Sequence, residues 1–599
     1  MCGIIGYTGD RDTEKVLIEG LKKLEYRGYD SAGIALSGEE EISIYKNEGK
    51  VQLLEDRVKE ANVAPSFAGI GHTRWATHGK PSQLNSHPHR GKKVVIVHNG
   101  IIENYQELKG ELAQKGIRPI SDTDTEIAAL LLDQLYEGDP HAAIFAAIKR
   151  LEGSYALGIL FTDRPHTIYA VRKDSPLIIG KGQGENFIAS DIPAILEYTH
   201  DYFLLEEGEM AEITKDNINF YDEKKRPLEK EMLTADWDEQ SAMKGGFPHF
   251  MVKEINEQPQ VVRATLGQYA RGGNLFPNQE SVFDIKGSIY IVACGSAYHA
   301  GLSGKQIIEK MARIPVQVEI ASEFRYNNPI LRKEDLVVII SQSGETADSL
   351  AALRLAKAQG VPTLGIVNVR GSTIAREAAT VFYTAAGPEI SVATTKAYLC
   401  QVALLNLMAL KMAEKYISPE ELQEKLQQLF SLPTLIKEVL KKESQIKAIA
   451  AKFKDAEHLF FIGRGQDYAL SCESSLKLKE ISYVHSEAYA AGELKHGTIS
   501  LIEPGTPVVA VMTDRSRIAK TAGNIKEVHA RGAIVLCLTH PDVDCSDFAD
   551  ELITLPECSD FIAPIVGAIA TQLFAYHIAV ARGNDVDKPR NLAKSVTVE

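Results

Sequence analysis

The chain has 599 residues, 44% hydrophobic and 24% charged, with a net charge of −14 at neutral pH. That length predicts three or four domains with large cores, and the acidic balance argues against nucleic acid or an anionic membrane as the main partner. Cys2, Cys294, Cys400, Cys472, Cys537, Cys545 and Cys558 are scattered, odd in number and without a C-x-x-C pair, which fits a reducing, cytoplasmic setting.

The chain opens Met1-Cys2-Gly3-Ile4-Ile5-Gly6. Cys2 to Tyr7 is too short for a secretory signal, and acidic residues follow at once, so no signal peptide is expected. A small second residue favours removal of the initiator methionine. Cys2 would then carry a thiol and a free α-amine. The amine titrates near ~7.7–8.0 and the thiol near ~8.5, so the amine can serve as base for the sulfur beside it. Taken alone, the segment also reads as an ordinary N-terminal cysteine.

Four further segments follow: Glu25-Tyr26-Arg27-Gly28-Tyr29-Asp30-Ser31-Ala32-Gly33, Gly71-His72-Thr73-Arg74-Trp75-Ala76-Thr77-His78-Gly79, Val94 to Asn104, and Ser121-Asp122-Thr123-Asp124-Thr125-Glu126. Val94 to Val97 is an apolar run, typical of a buried strand. It leads into Asn99-Gly100, a turn dipeptide that leaves a side-chain amide and a backbone N–H at the strand end. Two such donors suit an oxyanion hole for a thiolate attacking a carboxamide. Arg74 can grip an α-carboxylate bidentately, and Asp124 can take an α-ammonium. His72, His78, His87, His89 and His98 match no zinc spacing, so no metal is expected, and His87-Pro88-His89 reads as a loop beside the pocket. With Cys2, these segments resemble the N-terminal-nucleophile (class II) glutamine amidotransferases over roughly the first 210 residues. The resemblance implies an αββα fold and L-glutamine as substrate. It assigns the same roles to Cys2, Asn99, Gly100, Arg74 and Asp124, and sets Trp75, Thr77 and His78 along the pocket or its lid.

Thr214 to Phe250 is charged and patternless and reads as the exit from this domain, and Met251 to Gly272 is predicted helical. Strands then alternate with amphipathic helices, the mark of a parallel α/β sheet. The alternation occurs twice. Ile289 to Gly295 resembles Leu459 to Gly465, and Leu336 to Ser341 resembles Val508 to Thr513. Thr363 to Val367 likewise matches Ala533 to Leu538. Ser341 and Gly360 are 19 positions apart, as are Thr513 and Gly532. Equal spacing argues for two copies of one nucleotide-fold-like, doubly wound unit. The expected domains are 2–215, a linker and packing helix over 216–280, the first copy over 281–424, a helical connector over 425–450, the second copy over 451–589, and a tail over 590–599. Phe561 to Ala581 and Ser391 to Ala413 are apolar, but both carry polar residues and read as buried core helices rather than membrane spans.

Ser341-Gln342-Ser343-Gly344-Glu345-Thr346 follows a buried strand and precedes a helix. Hydroxyls, an amide and backbone N–H groups at a helix N-terminus can bind a phosphate without Lys or Arg. A plain N-cap from Ser343 to Thr346 is the other reading. The S-x-S-G-x-T pattern resembles the sugar isomerase (SIS) domain loop, with Cys294-Gly295-Ser296-Ala297 facing it. The second copy has Thr513-Asp514-Arg515-Ser516 instead, so one phosphate loop per chain is expected.

Lys477 and Glu480 are three apart on a predicted helix, hence on one face, where a surface ion pair is the simplest reading. With Gly492-Glu493-Leu494-Lys495-His496-Gly497 and the tail from Asp585 to Glu599, this segment resembles the isomerising glutamine–fructose-6-phosphate aminotransferase family, and the likeness extends over nearly the whole chain. The resemblance implies that glutamine is hydrolysed through a thioester on Cys2. Ammonia would pass down an internal channel gated by Trp75 to D-fructose 6-phosphate, in the first step of amino-sugar synthesis. The phosphate would be held by Ser341, Gln342, Ser343 and Thr346, with Ser296 and Val392 on the sugar. Lys594 would form a Schiff base, and Glu480 aided by Lys477 would move a proton from C1 to C2. His496 would assist ring opening from the neighbouring subunit, which makes a homodimer with a shared sugar site. No cofactor is implied. Ala297 departs from the serine usual in the family. An ATP-driven amidotransferase would need a nucleotide loop and a sugar-phosphate regulator a basic helix-turn-helix, and the sequence has neither.

Overall fold

The computed structural model describes residues 2–39, 41–61, 63–235, 244–271 and 274–597. Contacts group residues 1–242 with 593–599 as one compact unit, and 243–592 as a second.

In the first unit, among the described residues, an eight-stranded and a seven-stranded sheet face each other between two layers of helices. Alternation along the central strands builds these layers, because successive side chains point to opposite faces. Ile5 and Tyr7 pack outward onto helix Thr13–Leu24, whereas Ile4 joins the layer between the sheets. In strand Val94–Ile102, Val94 and Ile96 pack towards helix Asp124–Leu135, while Val95 and Val97 face the other sheet. Both faces are buried, so the strand reads as a continuous apolar run rather than an alternating one. Fully burying each such aliphatic side chain contributes about 1.5–3 kcal/mol.

The boundary expected at residue 215 needs correction. Ile218–Tyr221 and Pro227–Leu228 extend the seven-stranded sheet, and Leu233–Thr234 adds to the edge of the eight-stranded one. The segment looks patternless because strands of two to four residues at a sheet edge need almost no buried face. Phe220 is its one buried side chain among the described residues. Part of the expected linker, 236–243, lies outside the described residues.

In the second unit, helix Phe250–Tyr269 fills most of the predicted helical span, whose end at Gly272 lies outside the described residues. Two five-stranded parallel sheets follow. The first runs Val316–Ile320, Ile289–Ala293, Leu336–Ser341, Thr363–Val367, Thr380–Tyr383. The second runs His485–Ala490, His458–Gly463, Pro507–Met512, Ile534–Thr539, Glu551–Thr554, the same order at each place. The order is that of a doubly wound sheet, whose ligands sit beyond the carboxyl ends of the strands. Helices Pro419–Leu440 and Glu443–Phe453 connect the copies; Leu429, Leu432, Ile436 and Ile446 are buried, leaving the charged residues on the outer face. Helices Lys396–Ala413 and Ala563–Ala581 are buried along almost their whole length. Among the described residues only Ala563–Ala581 is long and apolar enough to cross a membrane, and it lies inside this unit.

The tail divides. Residues up to 592 belong with the second unit, whereas 593–599 group with the first. The tail expected as one segment over 590–599 is therefore corrected.

Candidate active site

Cys2 directly precedes strand Gly3–Gly9, which pairs with Ala68–Arg74 on one side and Glu185–Ala189 on the other. Its Sγ accepts the Trp75 N–H at 3.3 Å. Its carbonyl oxygen accepts two side chains, Arg27 Nε at 3.1 Å and Asn99 Nδ2 at 3.0 Å. Asp191 anchors Arg27 at 3.0 Å and receives the Tyr26 hydroxyl at 2.5 Å. Burial pushes the Cys2 thiol pKa up, against the Trp75 N–H and the charges of Arg74 and Arg27. The sulfur therefore needs a base to become a nucleophile. Met1, whose removal is expected to supply that base, lies outside the described residues.

Asn99 and Gly100 lie inside strand Val94–Ile102, opposite Ala156 and Tyr155, so the turn expected at the strand end is corrected. Gly100 has φ +128°, and a Cβ there would lie 2.0 Å from the Ser154 carbonyl oxygen, so no other residue fits. Arg74 is buried; Nη2 donates to the carbonyls of His78 and Gly79, the latter at 3.0 Å. Among the described residues its Nη1 is buried without a partner. Burial lowers the Arg74 pKa, opposed by Cys2, Asp124 and Asp30 nearby. Asp124 opens helix Asp124–Leu135 and accepts the Ile102 N–H at 2.8 Å. Thr123 caps that helix through the Glu126 N–H, and Glu126 reaches back to the N–H groups of Ile120 at 3.0 Å and Ser121 at 2.6 Å. The acidic run thus folds on itself and fixes Asp124. Trp75 is half-buried, edge-on to Tyr29 at 6.1 Å, and His78 meets Tyr105 at 5.1 Å, whereas Thr77 is exposed.

The histidines form a buried stack. His72 lies on His87 with centroids 4.0 Å apart, and His98 is parallel to His87 at 6.5 Å. His87 and His98 share the Thr125 hydroxyl, and His89 contacts the Thr123 hydroxyl at 3.1 Å. His89 begins the short strand His89–Arg90 rather than lying in a loop. Burial holds all four below the ordinary histidine value, His72 at about 3.

In the second unit, the Ser341–Thr346 loop joins strand Leu336–Ser341 to helix Ala347–Ala358. Thr346 is the N-cap residue, but its side chain makes no capping bond; the hydroxyl meets Ser341 Oγ at 2.9 Å. Ser341 Oγ also accepts the Gly344 N–H at 3.0 Å. Ser343 Oγ accepts the Glu345 N–H at 3.2 Å, a local turn bond just ahead of the helix. The second copy is closed. Asp467, second residue of helix Gln466–Ser482, accepts the N–H groups of Thr513 at 2.9 Å and Asp514 at 3.3 Å. The position it occupies in its helix is held in the first copy by Ser296, second in helix Gly295–Ala312.

Lys477 and Glu480 form an ion pair, but Lys477 is 1% exposed, which removes the surface reading. Burial would lower the Lys477 pKa; Glu480 and Glu473 outweigh it and raise it. Glu473, which pattern alone does not single out, also accepts Ser296 Oγ at 2.9 Å and meets His299 at 2.9 Å, tying the two copies together. Val392 is buried and donates its N–H to the Asp587 carbonyl at 3.0 Å. Gln342 accepts the Asn368 N–H through its carbonyl at 3.1 Å. His496 is exposed, and Lys594 is half-buried in the stretch that groups with the first unit. Sequence reading assigns no role to Arg27, Asp191, Ser190 or Glu473; of these, Arg27 alone lies within a recognisable motif, Glu25 to Gly33.

Comparisons with known proteins agree with this division. A glutamine amidotransferase domain family matches residues 72–197, and the SIS domain family matches 283–411 and 452–582. Curated relatives from Clostridium tetani and Thermus thermophilus, 49% and 44% identical, align over the full length of both chains, and each is named glutamine–fructose-6-phosphate aminotransferase [isomerizing]. The solved C-terminal domain of glucosamine-fructose-6-phosphate aminotransferase from Francisella tularensis covers 58% of this chain and 100% of its own, at 40% identity and TM-score 0.56.

The histidine stack sets a pH dependence. Unfolded histidine titrates near ~6.5, while the folded residues stay neutral well below that, so the unfolded state binds more protons. Stability is full above about pH 6.5 and is lost as pH falls towards 3, the value for His72. The slope is about 1.4 kcal/mol per pH unit for each histidine. Trp75 packs against Tyr29 in the first unit, so fluorescence-monitored denaturation in a Trp237→Phe background follows that unit. The urea midpoint should fall between pH 6.5 and 5, and less steeply in His72→Gln; an unchanged midpoint would mean the stack takes up protons when folded.

Proposed function

The chain belongs to the isomerising glutamine–fructose-6-phosphate aminotransferase family, and on that premise we propose how its residues divide the work. The enzyme converts D-fructose 6-phosphate and L-glutamine to D-glucosamine 6-phosphate and L-glutamate.

In the first unit, Cys2 attacks the glutamine carboxamide with its own α-amine as base. The Asn99 side-chain amide and the Gly100 N–H receive the oxyanion, ammonia leaves, and water releases glutamate from the thioester. Arg74 holds the α-carboxylate and Asp124 the α-ammonium, while Trp75, Thr77 and His78 close over the substrate. The observation that carries this reading is Arg74: a buried guanidinium with an unfilled donor, within electrostatic reach of both Cys2 and Asp124. A zwitterionic amino acid supplies what that pair of charges lacks.

In the second unit, the Ser341–Thr346 loop binds the sugar phosphate through Ser341, Gln342, Ser343 and Thr346, with Ser296 and Val392 against the sugar. His496 assists ring opening; its exposure on this chain suits delivery to a second copy, so the functional form is a homodimer. Lys594 condenses with the open-chain C2 carbonyl and loses water. Ammonia from glutamine displaces the lysine and leaves an imine at C2. Glu480 removes a proton from C1 and returns one to C2, giving a C1 aldehyde and a C2 amine, and Lys477 holds Glu480 in place. The free thiols and the acidic surface suit a cytoplasmic enzyme.

Two experiments test the assignment. Lys594→Arg keeps the charge but cannot form the imine. It should abolish glucosamine 6-phosphate formation by mass spectrometry yet leave glutamine hydrolysis, and borohydride with fructose 6-phosphate should trap the sugar on Lys594 in the wild type. An adduct on Lys477 or Lys479 would relocate the imine. Ser343→Ala with Thr346→Ala should weaken fructose 6-phosphate binding, by about 1.5–3 kcal/mol for each bond to the phosphate. Unchanged affinity in calorimetry would move the phosphate elsewhere.

A further inference from the structure

An amide can sit either way round, and an oxyanion donor is useful only if its N–H is aimed before the reaction starts. We propose that His72 is a positioning residue that locks the Asn99 amide with Nδ2 turned towards Cys2. The inference rests on reading Asn99 as an oxyanion donor.

His72 lies in strand Ala68–Arg74 and is wholly buried. Its Nε2 is 2.8 Å from the His98 carbonyl oxygen and 3.1 Å from Asn99 Oδ1. A carbonyl can only accept, so Nε2 must carry the proton. The Asn99 atom facing that N–H must then be the oxygen. Nδ2 is left on the other side, its two hydrogens on the Cys2 carbonyl at 3.0 Å and Ser190 Oγ at 2.8 Å, so an oxyanion is received in exchange for one of these bonds. The Cys2 carbonyl also only accepts. A reversed amide would set its NH2 against the His72 N–H and its oxygen against that carbonyl. Two backbone oxygens thus dictate one tautomer and one amide orientation.

The remaining His72 nitrogen, Nδ1, is buried without a partner among the described residues, so nothing there accepts a second ring proton. The stack holds the ring in plane: His72 lies on His87 at 23°, and His87 Nδ1 accepts the His98 N–H at 3.4 Å. With Nδ1 so engaged, His87 Nε2 carries the proton to the Thr125 hydroxyl at 3.2 Å. The stack is thereby a rigid backing for one amide and touches none of the reacting atoms.

The test uses the full-length enzyme with fructose 6-phosphate saturating. His72→Leu removes the donor; His72→Gln restores an N–H. Each is measured alone and in an Asn99→Ala background. Losing a single oxyanion donor costs about 100- to 1000-fold in kcat, so a misdirected one should cost roughly 10- to 100-fold. His72→Leu should lower glutaminase kcat by that factor with KM for glutamine within about twofold, as expected for an interaction made in the transition state. His72→Gln should recover part of the loss, and His72→Leu should cost nothing further once Asn99 is alanine. Selective 15N-histidine labelling of the wild type reads the tautomer directly and does not depend on any variant folding; His72 should show a protonated Nε2 and a bare Nδ1. A protonated Nδ1, an unchanged kcat in His72→Leu, or a full extra loss on top of Asn99→Ala would overturn the proposal. If Asn99→Ala itself leaves kcat unchanged, the oxyanion reading fails with it; if only Asn99→Ala lowers kcat, that reading stands and this inference falls.

Discussion

The carbonyl oxygen of Cys2 accepts Arg27 and Asn99 at once, and much of the first unit serves to make that possible. Cys2, the proposed nucleophile, directly precedes the first strand. A strand paired on both sides holds Gly3 onwards, Asp191 anchors Arg27, and the facing sheet brings Asn99 up from within Val94–Ile102. The same packing leaves the thiol with a raised pKa, so reactivity depends on a neighbouring base rather than on a spontaneous thiolate.

The second unit shows how duplication can yield one site. Both copies share a strand order and a helix that starts beyond the first strand. On the proposed function, the loop amides of one copy serve the sugar phosphate. In the other, the Asp467 carboxylate accepts them from within, and a Thr513 hydroxyl bond completes the closure. A carboxylate and a phosphate satisfy the same donors, so an internal carboxylate removes the need for a bound anion. Glu473 then joins the closed copy to the open one by contacting Ser296 and His299, next to the Lys477–Glu480 pair.

Much of this is legible in the sequence, for identifiable reasons. Buried strands announce themselves as apolar runs, so Val94 to Val97 and both sets of α/β strands can be read directly. Equal loop spacing carries the duplication, and the ordered motifs around Cys2 carry the chemistry. The misses are long-range. The edge strands between 218 and 234 leave no period to read, so the segment resembles a linker. Asp191, Ser190, Asp467 and Glu473 act across tens or hundreds of residues, through contacts that only the folded chain creates. Helical spacing sets Lys477 and Glu480 on one face but cannot say that the face is buried.

Covalent labelling of the nucleophile bears most directly on the whole scheme. The purified enzyme would be treated with an electrophilic glutamine analogue, with and without excess glutamine, and followed by intact mass and peptide mapping. One adduct per chain on Cys2, from protein that has lost Met1, prevented by glutamine and matched by loss of glutaminase activity, is the expected result. An adduct on Cys294 or Cys472, or a fully active protein that retains Met1, would contradict it.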